Sequence, residues 1–247
     1  MPGPSLARLA HGEDDGNVAY AIAKTEAVVV LSQTCDVVRE AAVRPFVSVA
    51  RQIRLAGSDA EEAGRGRRPR YAAVPAAGPD AFADLDSVCS IEKSVLSRVD
   101  RIEGLRDDGE RRHFSATVSR HFGRFAFPDD LTSTMGPMIK HVRRSHGKDS
   151  LQGRAYQLLE EIRVTATPRW DAAQVDVFVI FAPPTRIEAE LLMAGAEWDS
   201  TVDGWLERAV PTGVIRNVEG AMIPLDELSV REYLDTDRLE LYDLTRH

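Results

Sequence analysis

Cysteine is scarce in this chain: two residues, Cys35 and Cys89, among 247. Two thiols exclude a disulfide-stapled scaffold and a cysteine zinc site, and they leave a reducing cytoplasm as the expected compartment. No apolar run approaches the ~20 residues that span a bilayer, so no membrane partner is expected. The opening "MPGPSLARLAHGEDDG" lacks the apolar stretch of a secretory signal, and residues 1–16 read as a loose leader. Neither Gly-x-Gly-x-x-Gly nor a Walker loop occurs, so no nucleotide cofactor is implied. His141 and His146 are five apart and Asp129 and Asp130 are adjacent, spacings that match no zinc or two-metal motif; the expectation is no metal and no cofactor. Positive charge is also in deficit. The 31 Lys and Arg against 39 Asp and Glu leave a formal charge of −8, which argues against a protein coated in nucleic acid while leaving room for a local basic patch.

What is present suits one large or two small globular domains: 28% charged and 43% hydrophobic residues, and no internal repeat. The N-terminal part is rich in Val, Ile and Phe. It reads as short strands at 17–23, 27–33, 45–55 and "YAAVPA", followed by a strand running into a short turn or helix over "DAFADLDSVCSIEKSVL". Between them "AGSDAEEAGRGRRPR" (56–70) is charged and aperiodic and reads as an exposed, mobile loop. Helical spacing begins near 108, where Phe114, Val118 and Phe122 recur at steps of four. A second helical stretch follows Pro128, interrupted by Gly136 and Pro137, and a third covers "SLQGRAYQLLEEI". The strand "RVTATPRW" comes next, then "QVDVFVIFAPP" (174–184), apolar on both faces and expected at the centre of its sheet. Thr185 and Glu188 have capping-box spacing. The helix they open is expected to set Ile187, Leu191, Trp198, Val202 and Trp205 on one stripe. "GVIRNVEGAMIPL" reads as one or two strands with a bend at Gly220, "SVREYL" as a short helix and "DRLELYDL" as a closing strand.

"AVVVLSQTCDVV" drives an apolar strand into five polar residues, Ser32, Gln33, Thr34, Cys35 and Asp36. Two readings stay open. The thiol of Cys35 is a nucleophile beside Asp36, served by a histidine of the middle segment, His121 being the candidate. Alternatively the cluster is a tight polar turn around a thiol that only packs. Ser32, Gln33 and Thr34 at the strand end suit a ligand-facing loop at the rim of a groove and a tight turn equally well.

Charge is unevenly placed. Between Arg111 and Lys148 lie eight cations, Arg111, Arg112, Arg120, Arg124, Lys140, Arg143, Arg144 and Lys148, against Asp129 and Asp130, a net of +6 in a chain whose remainder nets −14. His113, His121, His141 and His146 lie among them, and Phe114, Phe122, Phe125 and Phe127 are interleaved. Such a segment suits contact with RNA or DNA phosphates; the competing reading is a solvated face with the Phe side chains in a core. "GRRPR" (66–70) is either a basic clamp or a solvated linker. Asp235, Asp237, Glu240 and Asp243 form an acidic cluster that would suit a basic partner or simply a solvated face.

Residues 27–105 resemble the PemK/MazF family of toxin–antitoxin endoribonucleases. The resemblance is carried by "AVVVLSQ", by "RPFVSVARQ", and most closely by "DLDSVCSIEKSVLSRVDRIEGL", where Ser90-Ile91-Glu92-Lys93 stands for the family's Thr-Ile-Asp-Lys-like turn. It implies an SH3-like β-barrel, with 106–122 as the family's C-terminal helix. It also implies a toxin–antitoxin or phage-defence setting. Active members carry an Arg-Pro pair before the apolar strand and a Thr or Ser at the end of the next. Here those places hold Glu26-Ala27 and Ala50, so the resemblance implies a barrel without the groups that cut RNA.

The expectation is therefore an α+β protein: an N-terminal SH3-like barrel over 17–107, a helical segment over 108–162 and a C-terminal α+β unit over 163–247. Its expected role is a nucleic-acid-binding or accessory component. A thiol-dependent enzyme and an assembly subunit that binds a partner protein, with oligomers possible, are the alternatives.

Overall fold

The computed structural model describes residues 5–6, 23–25 and 27–242. The expected strand at 17–23 therefore lies almost wholly outside the described residues, as do Glu26 and Asp243. The fold is mixed α+β and divides into two compact units, Met1–Gly123 and Arg124–His247. The segment read as a helical middle is shared between them.

In the first unit β1 (Ser5–Leu6) pairs antiparallel with β2 (Ala23–Lys24). A second sheet contains β3 (Val28–Val30), β4 (Phe46–Arg54), β5 (Tyr71–Ala73) and β6 (Ala81–Glu92), in the order β3-β4-β6-β5 and antiparallel throughout. Among the described residues this ladder is open: β3 and β5 are its edges and do not pair. Short helices α1 (Thr34–Val38), α2 (Ser58–Gly64) and α3 (Lys93–Leu96) sit in the connections, and α4 (Asp108–Phe122) closes the unit. Asp107 caps α4 by accepting from the Glu110 N–H at 2.8 Å, which satisfies a backbone donor that the helix itself leaves free. Phe114 and Val118 of α4 pack on a small cluster of Ala50, Ala72, Val74, Ala83 and Leu85. The third residue of that periodic series departs from expectation. Phe122, the last residue of α4 before Gly123, is 61% exposed.

The stretch 56–70 is not a mobile loop. It folds into α2 and a tight return in which Glu62 and Arg67 are both buried and paired at 3.4 Å, while Arg68 meets Asp59 at 3.0 Å. Its dense charge has both signs, so the segment neutralises itself instead of dissolving in water.

The second unit is built on the order β10-β7-β8-β9. Helices α5 (Asp129–Arg143) and α6 (Leu151–Leu158) precede β7 (Glu161–Thr167) and β8 (Val175–Ala182). Next come α7 (Arg186–Leu192), α8 (Gly195–Leu206), β9 (Ile215–Met222), α9 (Val230–Leu234) and β10 (Asp237–Arg238). β8 is flanked on both sides, antiparallel to β7 and parallel to β9. The parallel pairing requires the α7–α8 crossover. α5 runs unbroken through Gly136 and Pro137. Leu131, Thr134, Met135, Met138, Ile139 and Val142 bury a continuous stripe that outweighs the lost backbone bond, and Pro137 itself faces solvent. Trp198, Trp205, Tyr156 and Phe181 fill the core at 0% exposure. The expected single stripe from Ile187 to Trp205 is broken. The chain is extended at Met193 and Ala194 between α7 and α8, which resets the helical phase. Trp198, Val202 and Trp205 are buried whereas Ile187 and Leu191 are not. Gly220 makes no bend either; a side chain there would overlap the Val179 carbonyl, so glycine is needed for the close approach of β8 and β9.

Candidate functional site

In the polar cluster after β3, the Ser32 side chain completes the backbone ladder. Leu31 N–H donates to Ser48 O at 2.9 Å, and the next rung is supplied by Ser32 Oγ, which accepts from Ser48 N–H at 2.8 Å. Gln33 then starts α1, its carbonyl accepting from Asp36 and Val37 N–H at 2.9 and 3.0 Å. Lys93 Nζ closes the other end of α1 by donating to Asp36 O and Arg39 O at 2.6 and 2.7 Å, where the helix leaves carbonyls unsatisfied. Gln33, Thr34 and Cys35 are exposed. Among the described residues the one hydrogen bond of Cys35 runs from Sγ to Gln33 Oε1 at 3.5 Å. The Asp36 carboxylate lies 3.7 Å from Arg44 and 3.9 Å from Arg39. Among the described residues no histidine bonds to the thiol.

His121 is held elsewhere. It is buried on the last turn of α4, with Nε2 3.6 Å from Asp86 Oδ1. Asp86 belongs to a charged node on β6 to which the sequence reading assigned nothing. The β4–β6 register breaks there: Val49 faces Cys89 and Arg51 faces Asp84, so Ala50 opposes the four residues 85–88. This multi-residue bulge brings Ser87 Oγ to the Asp84 carbonyl and the Asp86 N–H to the Asp84 carboxylate. Asp84 is 2% exposed and takes a bidentate bond from Arg70, Nε to Oδ1 at 2.8 Å and Nη2 to Oδ2 at 3.0 Å, with Arg51 Nη2 at 3.3 Å. Ser87 Oγ ties the bulge by donating to Asp84 O and accepting from Arg51 N–H. Burial alone would push the Asp84 carboxyl up, but the hydrogen bonds and charge of Arg70, with the Asp86 N–H and Arg51, hold it below the usual carboxylate range. The same pairing raises Arg70. Arg51 lies on β4, Asp84 on β6 and Arg70 in the turn just before β5, and only the carboxylates inside the otherwise apolar "AFADLDSV" hinted at the node.

The eight cations of 111–148 have different fates. Arg111 pairs with Asp108 at 2.7 Å, Arg120 donates to the Gly66 carbonyl, and Arg112 is exposed on α4. Arg124 opens the second unit. Lys140, Arg143, Arg144 and Lys148 gather at the C-terminal end of α5 and the turn after it. Residues 140, 143 and 144 share one helical face. No carboxylate among the described residues pairs with any of the four. Arg143 lies 4.3 Å over the Tyr242 ring, Tyr242 and Tyr156 hydroxyls meet at 3.1 Å, and His146 stands edge-on to Tyr156 at 5.6 Å. His141 adds a partly buried imidazole on the same turn.

Two of the acidic C-terminal residues serve the fold, whereas Asp235 is exposed and Asp243 lies outside the described residues. Asp237 accepts from Trp170 Nε1 at 3.3 Å and Glu240 is buried near Arg238 at 3.9 Å. "GRRPR" is likewise internal: Arg67 is buried and Arg68 and Arg70 are paired. A cleft of about 340 Å³ in the first unit is lined by Gly64, Ala73, Pro75, Gly109, Glu110 and His113; Cys35, Asp36 and His121 do not line it. Among the described residues no group of three His, Cys, Asp or Glu could hold a metal ion, and no helix is long and apolar enough to cross a membrane. Comparison with protein-family models, with curated proteins and with solved structures finds no match.

Proposed function

We propose that this protein is a non-catalytic nucleic-acid-binding component that grips phosphates through Lys140, Arg143, Arg144 and Lys148. The observation that carries the reading is the lack of a carboxylate partner for any of these four among the described residues, in a chain of net charge −8. A helix C-terminus favours cations by about 0.3–1 kcal/mol each. That preference accounts for the first three positions but not for Lys148, which lies beyond the helix. The ring that stands beside the cluster among the described residues, Tyr242, is covered by Arg143. The contact is therefore to the phosphate backbone and tolerant of sequence.

The PemK/MazF-like reading of the first unit belongs to the same proposal. Its support is the antiparallel order β3-β4-β6-β5 followed by a helix laid on the sheet. Ala50, where the resemblance calls for a hydroxyl, is wholly buried, in keeping with a module that does not cut RNA. The toxin–antitoxin or phage-defence setting rests on that resemblance alone.

The test is fluorescence anisotropy with labelled single- and double-stranded RNA and DNA across a KCl series. Log affinity should fall linearly with log salt, by about 0.7 per contacted phosphate for single strands and about 0.9 for duplex DNA. Replacing all four cations by Ala should remove most of that slope, whereas Arg111→Ala with Arg112→Ala should leave it in place. Binding with no salt dependence, or a quadruple variant that binds as the parent does, would overturn the reading.

A further inference from the structure

The second unit displays an unusual pair of apolar helix faces. Ile187 and Leu191 on α7 are 71% and 77% exposed, and Val230 and Leu234 on α9 are 77% and 75% exposed. In each helix the two residues are four apart and so share one face. The helices belong to the same end of the sheet. Arg186, at the start of α7, donates its N–H to Asp226 Oδ1 at 3.1 Å and its guanidinium to Glu227 just ahead of α9. Ile223 and Leu225 N–H groups bond back to Phe181 and Pro183 carbonyls at the end of β8.

Exposure here does not mean looseness. α9 carries a reciprocal cap in which Glu232 N–H donates to Ser229 Oγ and Ser229 N–H donates to the Glu232 carboxylate. Buried Arg163 stacks 3.7 Å under the Tyr233 ring and donates to the Tyr233 carbonyl. Large apolar side chains held rigidly in water on neighbouring elements mark an interaction surface.

The charge around the two helices states what kind of partner fits. Exposed on or next to them in the chain are Glu188, Glu190, Asp226, Glu227, Glu232 and Asp235 against Arg186 and Arg231, a net of −4 that the pairing of Arg186 with Glu190 and Glu227 leaves unchanged. We propose that α7 and α9 together form a docking surface for an amphipathic helix of a partner protein whose apolar stripe is flanked by Lys and Arg. The apolar pairs take i, i+3 and i+4 anchors of that helix, and the net negative charge selects its Lys and Arg. The surface is separate from the cations at the end of α5, so it stands or falls independently of nucleic-acid binding.

The experiment uses the full chain and two fluorescent synthetic 14-residue helices with identical apolar spacing, one Leu/Lys and one Leu/Glu, in anisotropy titrations at physiological salt. The Leu/Lys helix should bind at least tenfold more tightly than the Leu/Glu helix. Leu191→Ser and Leu234→Ser should each weaken it at least fivefold. Both positions are exposed, so Tm should not fall, and binding to nucleic acid should be unchanged. Leu/Lys binding that is indifferent to both substitutions would reduce the surface to bulk charge and overturn the proposal. Sedimentation velocity showing self-association that Leu191→Ser abolishes would overturn it in favour of a second copy as the occupant.

Discussion

Replacing Asp84 by Asn tests whether the β6 node holds the first unit together. The wild-type carboxylate, 2% exposed, accepts from Arg70 at 2.8 and 3.0 Å and from Arg51 at 3.3 Å. A charge-assisted hydrogen bond contributes about 1.5–3 kcal/mol, and breaking a fully buried ion pair costs about 3–5 kcal/mol. Two circumstances reduce that cost here. The side chains of Arg70 and Arg51 are 25% and 35% exposed, so both guanidiniums can rehydrate, and Asn keeps one acceptor. The expected loss is about 2 kcal/mol, a fall in Tm of roughly 8 °C for a unit of this size. Acid supplies a second readout. Folding holds the Asp84 carboxyl below its ordinary value, so its contribution is complete above the unfolded value near pH 4 and disappears as pH falls through the lower folded value. Wild type should therefore lose stability on acidification below about pH 4, and Asp84→Asn should lose less over the same range. Calorimetry from pH 2.5 to 7 on both proteins measures this. A variant that melts within 1 °C of wild type at pH 7, or whose acid limb superimposes on it, would refute the assignment.

In the second unit, Arg163→Met should cost about 3–4 kcal/mol in urea unfolding. The guanidinium is 5% exposed and bonds Glu161 at 2.7 Å, Thr236 Oγ1 at 2.7 Å and the carbonyls of Tyr233 and Thr236 at 2.7 and 2.6 Å. Its loss leaves buried acceptors unmet, although Arg238 stays 3.1 Å from Glu161 and limits the damage. Gly213→Ala should cost about 2 kcal/mol or more by the same assay. The residue sits at φ +59° with its missing Cβ overlapping the Asp130 carboxylate, so the strain of that φ adds to the loss of the 2.9 Å bond from Val214 N–H to Asp130. A change below 0.5 kcal/mol in either variant would remove the corresponding argument.

Where one local force dominates, the sequence is readable. The unbroken apolar run of β8 called for a central place in its sheet and has one between β7 and β9, and "SVREYL" forms the short helix that its Ser229–Glu232 spacing suits. The capping box expected at Thr185 is half formed: Thr185 Oγ1 accepts from Glu188 N–H at 3.2 Å, while the Glu188 carboxylate takes the Thr185 hydroxyl at 3.3 Å. Long-range pairing was beyond reach. Arg70, Arg51 and Asp84 are up to 33 positions apart, and no periodicity announces that they meet at a bulge. Ile187 and Leu191 misled for the opposite reason. Their spacing matched Trp198 and Trp205 only if the helix continued, and two extended residues at 193 and 194 decide otherwise. In the polar run Ser32–Asp36 the Ser32 hydroxyl stands in for a backbone acceptor to Ser48 N–H, a role that small hydroxyls fill as readily as they line sites.

Charge pairing, more than charge count, separates the roles of the arginines. In the sequence "GRRPR" reads as either a basic clamp or a solvated linker. Yet Arg51 and Arg70 meet Asp84, Arg54 meets Asp80, Arg67 meets Glu62 and Arg68 meets Asp59. Each of these cations already has a carboxylate beside it, and an incoming phosphate would have to displace that carboxylate before gaining anything. Lys140, Arg144 and Lys148 face no such competitor among the described residues, so a phosphate there displaces only water and mobile counterions. Counterion release is the favourable step in polyanion binding, and it is available in full only where the protein has not already supplied the anion.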